Sequence, residues 1–122
     1  MPLFLTLTKF TEDSFTAMTA KPSNRSEAVS RVLKSHGGKL LHFYWTFGEA
    51  DVVFIYEAPD NETAMAALMA LYSRGAVDTH RTSILLTNDE AMRAMERAGK
   101  VRTGYRTPRE EWQGWQDEGG EG

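Results

Sequence analysis

Hydrophobic residues alternate with other residues at the start of the chain in the spacing of a β-strand. Every second residue in the segment 3–8 is a leucine, and Phe4, Thr6 and Thr8 lie between the leucines. Side chains on a strand point alternately to its two faces, so this pattern predicts a strand with one fully apolar face.

Further along the chain, apolar residues recur at helical spacing. Asn24 and Glu27 resemble a capping box, the stripe Ala28, Val29, Val32 and Leu33 follows, and Gly37-Gly38 would end the helix. Asp60 is the predicted N-cap of a second helix, and Thr87 with Glu90 predicts a capping box for a third. Residues 39–47, 51–58 and 77–86 have the apolar and β-branched composition of strands.

The resulting order is β-α-β-β-α-β with a C-terminal helix, which predicts an α+β, ferredoxin-like fold with a four-stranded antiparallel sheet. From the right-handed crossover rule we expect the first and third strands to lie side by side and parallel. Residues 1–99 would form this domain. Residues 100–122 would form a C-terminal tail that is partly ordered at 100–108 and disordered towards its end.

The central hairpin allows its two faces to be distinguished. If Gly48 and Glu49 form a two-residue loop, the pairs on one face are Trp45 with Val52, Phe43 with Phe54, and Leu41 with Tyr56. The pairs on the other face are Thr46 with Asp51, Tyr44 with Val53, and His42 with Ile55. The first face is apolar and aromatic, whereas the second contains hydroxyls, an imidazole and a carboxylate.

Apolar side chains on both faces of this hairpin predict that both faces are covered. Helices would cover one face, and the simplest cover for the other is a second copy of the chain. The space between two such sheets would suit a small molecule. Its polar lining would come from His42, Tyr44, Thr46 and Asp51, with Thr6 and Thr8 on the neighbouring strand contributing.

Composition narrows the classes of function. A chain of 122 residues with a net charge of −3 suits a single core and has no basic surface for nucleic acid. The chain has no cysteine, which excludes disulfides and Cys-ligated zinc. Its apolar N-terminus lacks the features of a signal peptide, and no apolar run is long enough for a membrane span. We therefore expect a cytoplasmic protein that binds neither nucleic acid nor membrane.

Several candidate residues have a structural and a functional interpretation. Asp51 beside a glycine turn would accept backbone N–H groups, or it would be an acid facing a ligand. His42 is the best histidine for a site, although a single strand histidine is more often structural. His42 and His80 lack a third ligand, so we expect no metal site and no cofactor.

Aromatic residues and methionines are more typical of packing. Trp45, Phe43 and Phe54 are interpreted as core or subunit interface. The helical methionines Met65, Met69, Met92 and Met95 are interpreted as gap-filling core residues. Trp112 and Trp115 would either dock on a neighbouring subunit or lie in a flexible tail.

Segments spread over residues 3–108 resemble the GYD domain family of small bacterial proteins. The resemblance rests on these segments: Lys9-Phe10-Thr11-Glu12, Arg25 with Glu27 and Ala28, Gly37-Gly38-Lys39, Tyr44-Trp45-Thr46-Phe47-Gly48-Glu49, Asp51-Val52-Val53, Glu57-Ala58-Pro59-Asp60, Gly75-Ala76-Val77, Leu85-Leu86-Thr87 and Tyr105-Arg106. The family's Gly-Tyr-Asp appears here as Glu49-Ala50-Asp51, so Ala50 stands where the tyrosine would be. The resemblance implies a dimeric α+β-barrel fold that pairs through its sheets, and it implies no particular activity.

Three hypotheses of function follow. The first is an oligomeric small-molecule-binding protein with the polar cluster described above. The second is a cofactor-free oxygenase or isomerase in which His42 or Asp51 acts as general base and Tyr44 orients the substrate. The third is a structural assembly module whose interfaces are its whole function.

Overall fold

The computed structural model describes residues 1–117, which contain four strands and five helices in two compact units. The first unit, Met1–Leu86, contains β1 (Leu3–Phe10), α1 (Glu12–Ala20), α2 (Arg25–Ser35), β2 (Lys39–Trp45), β3 (Val52–Glu57), α3 (Asn61–Tyr72) and β4 (Val77–Leu85). The second begins at Thr87 and contains α4 (Asn88–Lys100) and α5 (Pro108–Asp117). The predicted disorder at the end of the chain falls partly on residues 118–122, outside the described residues.

The four strands form one antiparallel sheet in the order β2-β3-β1-β4. This arrangement confirms the predicted ferredoxin-like α+β fold. The three helix starts predicted from capping residues are also confirmed: Asn24, Asp60 and Thr87 each accept a hydrogen bond from the backbone N–H three residues later. At α4 the Glu90 carboxylate also accepts from the Thr87 N–H, which completes the capping box.

The expectation that the first and third strands run parallel is wrong, because β1 pairs with β3 in the antiparallel sense. The two strands are neighbours, as expected. The hairpin that follows the crossover inserts β3 between β1 and β2. The chain reverses at that hairpin, so β3 is antiparallel to both strands that flank it.

The predicted hairpin register is confirmed near the turn and wrong at the far end of β2. Tyr44 pairs with Val53 and His42 with Ile55, as predicted. The register then shifts, so that Tyr56 pairs with Leu40 and not with Leu41. A shift of this kind is a β-bulge, in which one strand has an extra residue that the sequence pattern does not reveal.

The two faces of the sheet differ in their surroundings. The helix face packs against α2 and α3, and its buried residues are Phe4, Thr6, Thr8, Val52, Phe54 and Tyr56. From the helices, Val29, Leu33, Ala64, Ala67 and Leu68 complete the core. The opposite face, here called the open face, presents Leu3, Leu5, Leu7, Val53 and Ile55, which are all half-buried.

The interpretation of the helical methionines as core residues is wrong. Met65 and Met69 on α3 are 54% and 62% exposed, and Met92 and Met95 on α4 are 50% and 68% exposed. The buried positions of α3 belong to the small residues Ala64 and Ala67 together with Leu68. Small side chains let α3 approach the sheet closely, which leaves the longer methionines at the surface.

The second unit consists of two helices whose apolar residues are exposed. Trp112 and Trp115 stack on each other on α5, with ring centroids 5.3 Å apart, and remain 56% and 42% exposed. Helix α5 is not among the elements that the sequence pattern predicts. No helix among residues 1–117 combines the length and the apolar character needed to cross a bilayer.

Candidate functional site

The open face of the sheet is an apolar surface that the fold leaves partly uncovered in the first unit. Directly paired residues of neighbouring strands share a face, so Leu5 lies beside Ile55 and Leu7 beside Val53. The strict leucine alternation of β1 therefore faces away from α2 and α3. Its apolar side is not part of the core that these helices cover.

His42 and Tyr44 lie on this open face, on the edge strand β2. Their rings stack with centroids 6.2 Å apart and an interplanar angle of 12°. Tyr44 is 61% exposed, and His42 is exposed as well. The predicted pair therefore exists, but it lies at the margin of the sheet and not inside a closed cavity of one copy.

Thr46 and Asp51 are joined at the end of the hairpin through their backbones. The Thr46 N–H donates to the Asp51 carbonyl at 2.9 Å, and the Asp51 N–H donates to the Thr8 carbonyl at 2.9 Å. The Asp51 carboxylate accepts a hydrogen bond from the Phe10 N–H, also at 2.9 Å. This carboxylate therefore ties the hairpin to β1, where the pairing of β1 with β4 shifts by one residue.

Thr6 and Thr8 do not join His42 and Tyr44, because they are buried on the helix face. The Thr6 hydroxyl lies 3.0 Å from the Tyr56 hydroxyl and 2.9 Å from the Thr82 hydroxyl. The placement of these threonines beside the polar cluster was wrong. A strand pattern separates two faces but does not say which face receives the helices.

The Thr8 hydroxyl lies 3.4 Å from the hydroxyl of Tyr72, a residue of α3. The Tyr72 ring also stacks on the ring of His80, a residue of β4. The ring centroids of Tyr72 and His80 are 3.8 Å apart and their planes differ by 17°. Burial raises the pKa of Tyr72 to about 12, so its phenol is a neutral hydrogen-bonding group at physiological pH. Burial likewise raises the pKa of Tyr56.

This hydroxyl cluster on the helix face was missed from the sequence. One signal was available: Thr6 and Thr8 share a strand face with Phe4, which placed hydroxyls beside a large apolar residue. Their partners Tyr56, Tyr72 and Thr82 are at least fifty positions away along the chain. Only the folded sheet brings these groups together.

Ala50, which stands in place of a tyrosine in the Gly-Tyr-Asp segment, is buried at the hairpin end. It borders a hollow of about 310 Å³ lined also by Leu7, Lys9 and Arg81. Among the residues that the structure describes, no group of three or more His, Asp or Glu side chains could hold a metal ion.

Comparison with known proteins identifies one family. The model of the GYD domain matches residues 4–95. A protein of Thermus thermophilus described as "Glutamine synthetase and cystathionine beta-lyase binding protein" is 30% identical over 79 residues, which is 65% of this chain and 83% of that protein.

A solved structure also resembles the chain. Protein Atu4242 from Agrobacterium tumefaciens is 13% identical, and the match covers 70% of this chain and 92% of that one with a TM-score of 0.44. At this level the likeness says nothing about function.

Proposed function

The chain belongs to the GYD domain family, and we propose that it is an oligomeric binding protein whose copies pair through the open faces of their sheets. The observation that supports this proposal is the half-buried apolar face formed by Leu3, Leu5, Leu7, Val53 and Ile55. Full burial of one such side chain is worth about 1.5–3 kcal/mol. A partner that completes the burial of this face would therefore stabilise the complex substantially.

A second copy is the simplest partner, because an isologous interface brings the same surface patch from both subunits. Two sheets stacked face to face would bury the leucines of both copies. His42 and Tyr44 would border the space between the sheets, with Thr46 and Asp51 near the end of the same hairpin. These four residues are the proposed polar lining for a small molecule held between two copies.

The oligomeric state is tested by replacing Leu5 with lysine, which places a charge at the centre of the open face. Sedimentation velocity of the wild-type protein should show a multiple of the monomer mass, and Leu5→Lys should sediment as a monomer. Phe47→Lys is the matched control, because Phe47 is fully exposed at the hairpin turn. A wild-type monomer, or an unchanged Leu5→Lys oligomer, would contradict the proposal.

A site between the sheets is tested with His42→Ala and Tyr44→Phe in a thermal-shift screen of small metabolites. A compound that raises the melting temperature of the wild type by several degrees should lose its effect in His42→Ala. If such a compound is also turned over, loss of turnover in His42→Ala and Asp51→Asn would favour the oxygenase or isomerase hypothesis. A compound that stabilises the His42→Ala variant as strongly as the wild type does not bind at this cluster.

A second candidate function is binding to other proteins, and the Thermus thermophilus relative favours it by its description. The apolar open face would serve such a partner as well as a second copy. Biolayer interferometry with purified glutamine synthetase and cystathionine beta-lyase tests this function. Binding should be lost in Leu5→Lys and kept in Phe47→Lys, and absence of binding to either enzyme by the wild type would argue against these partners.

A further inference from the structure

A groove on the helix side of the sheet lies between α3 and β4, away from the open face. It has a volume of about 580 Å³ and is lined chiefly by Met65, Leu68, Met69, Tyr72, His80 and Thr82. Pockets for small molecules have volumes of roughly 300–1,000 Å³. All of the lining belongs to the first compact unit.

Two aromatic rings, one from α3 and one from β4, line the groove. The Tyr72 and His80 rings stack at a centroid distance of 3.8 Å, which holds both rings in a fixed orientation. The Tyr72 hydroxyl approaches Thr8 in the core, whereas His80 is exposed. An exposed ring with a fixed orientation is a surface on which a planar molecule stacks with little loss of conformational entropy.

Two methionines from successive turns of α3 also line the groove. Met65 is 54% exposed and Met69 is 62% exposed, so their thioethers are available to a ligand. Methionine side chains adapt to irregular shapes, and their sulfur atoms make favourable contacts with aromatic rings. The aromatic rings and the methionines therefore favour the same class of ligand.

The polar groups of the groove are hydroxyls. Thr82 shares a hydrogen bond with Thr6 at 2.9 Å, and Ser73 donates to the Ala70 carbonyl at 3.4 Å. A hydroxyl that makes one such bond retains capacity to accept another. Within the described residues, the lining contains no Lys, Arg, Asp or Glu, so no permanently charged side chain there would balance a charged ligand.

We propose that this groove binds an uncharged planar aromatic molecule with a hydroxyl or amine group on its edge. The ring would lie between His80 and the methionines, and the edge group would donate a hydrogen bond to Thr82 or Ser73. This site is separate from the open face, so the proposal does not depend on pairing of the sheets.

The test uses the full-length protein labelled with ¹³C at the methionine methyl groups, and 2-naphthol as the probe. In a titration followed by NMR, the Met65 and Met69 methyl signals should shift and reach saturation. Met18 is the internal control, because it lines a different groove, beside Phe10 and α1. The saturated analogue trans-decahydro-2-naphthol should bind at least tenfold more weakly, because it cannot stack.

Two variants locate the site. His80→Ala should weaken binding at least tenfold, while His36→Ala, which changes the histidine at the end of α2, should bind as the wild type does. Ser73→Trp should block the groove from the end of α3 without altering the Tyr72–His80 stack, and it serves if His80→Ala does not fold. Leu5→Lys should bind normally whatever its oligomeric state, which separates this proposal from the pairing of the sheets.

Three results would overturn the proposal. The first is an equal shift of the Met18 signal, which would indicate non-specific adsorption. The second is equal affinity for the saturated analogue, or wild-type affinity in both His80→Ala and Ser73→Trp. The third is a change of oligomeric mass in either groove variant, which would show that another protein chain occupies the groove.

Discussion

At the scale of single residues, Asp51 shows how one carboxylate connects two parts of a sheet. Its side chain accepts from the Phe10 N–H, and its own N–H donates to the Thr8 carbonyl. Phe10 lies beyond the last pair of β1 with β3, which is Thr8 with Val52, so the carboxylate supplies the acceptor that a strand partner would otherwise provide. The local structural interpretation of this residue thus has a specific geometric basis, although its partner is β1 and not the turn.

Asp51→Ala should lower the free energy of unfolding by about 1–2 kcal/mol, because the Phe10 N–H loses its acceptor. Asp51→Asn should cost less than half as much, since its amide oxygen can still accept. Urea denaturation measures both values, and Thr46→Ala is the control because the Thr46 hydroxyl is exposed and, among the described residues, bonds to the neighbouring carbonyl of Phe47 alone. Equal stability of the wild type and Asp51→Ala would exclude this role.

The ionisation of Tyr72 makes the free energy of unfolding depend on pH in the alkaline range. Its pKa in the folded state is about 12, against an ordinary value of 10.0, and the cause is burial. The folded protein therefore favours the neutral phenol. The resulting contribution to stability is fully present below the ordinary pKa and is lost as the pH rises through the folded value.

The wild-type free energy of unfolding should fall as the pH rises from 10 to 12, and in Tyr72→Phe it should fall less steeply because that phenol is absent. Urea denaturation at several pH values in this range measures the two slopes. Tyr56 also has a raised pKa, so part of the dependence should persist in the variant. Identical slopes for the two proteins would contradict the assignment to Tyr72.

At the scale of elements, the junction between α2 and β2 depends on two successive glycines with different roles. Gly37 has a positive φ of 77°, which suits the residue that ends a helix. A Cβ atom on Gly38 would lie 2.5 Å from the Glu57 carbonyl oxygen and 3.3 Å from that of Leu33. Gly38 therefore lets the start of β2 come close to the end of β3.

Gly38→Ala should destabilise the protein by about 1–3 kcal/mol, because backbone atoms must move to make room for the methyl group. Gly99→Ala in α4 is the matched control: apart from the adjoining residues and the backbone of its own helix, no described atom lies within 4 Å of its added Cβ, and alanine favours a helix by about 0.5–1 kcal/mol. Thermal and urea denaturation of both variants give the comparison. The explanation fails if Gly38→Ala is as stable as the wild type.

At the scale of the whole molecule, the distribution of apolar surface is the main finding. The core of the first unit is closed on the helix face of the sheet, while the leucines of β1 remain half-buried on the open face. The apolar side chains of Met65 and Met69 are exposed beside the groove. The two proposed binding surfaces therefore use opposite sides of one sheet.

If copies pair through the open face, the melting temperature should rise with protein concentration, because association stabilises the folded state by mass action. Differential scanning calorimetry over a hundredfold range of concentration should show this rise for the wild type and for Phe47→Lys. Leu5→Lys should melt at a lower temperature that does not depend on concentration. A wild-type melting temperature independent of concentration would argue against the paired state.

The elements of this fold and their boundaries were largely predictable because their signals are local. The capping side chains of Asn24, Asp60 and Thr87 each bond to a backbone N–H in the first turn of the helix that they begin. The register of the hairpin follows from the length of its loop as far as His42, and it fails where the bulge begins. The position of a bulge depends on how the strand packs, so the residues next to it in sequence do not predict it.

The candidate site was predictable only in part. His42 and Tyr44 were correctly placed on one face because strand alternation and the loop fix their direction. The burial of Thr6 and Thr8 on the helix face was not predictable in this way. Alternation assigns residues to the two faces of β1 but does not indicate which face packs against the helices. Leucines would ordinarily be the better choice for a core.

The sequence by itself determined the order of the four strands, the three helices that begin at Asn24, Asp60 and Thr87, and the faces of the hairpin near its turn. Only the tertiary structure decided which face of β1 became the core. Burial of Thr6 is tolerated there because the hydroxyls of Tyr56 and Thr82 lie within hydrogen-bonding distance of its own. These partners come from distant parts of the chain. The local sequence pattern therefore could not predict that the threonine face would be buried and the leucine face left open.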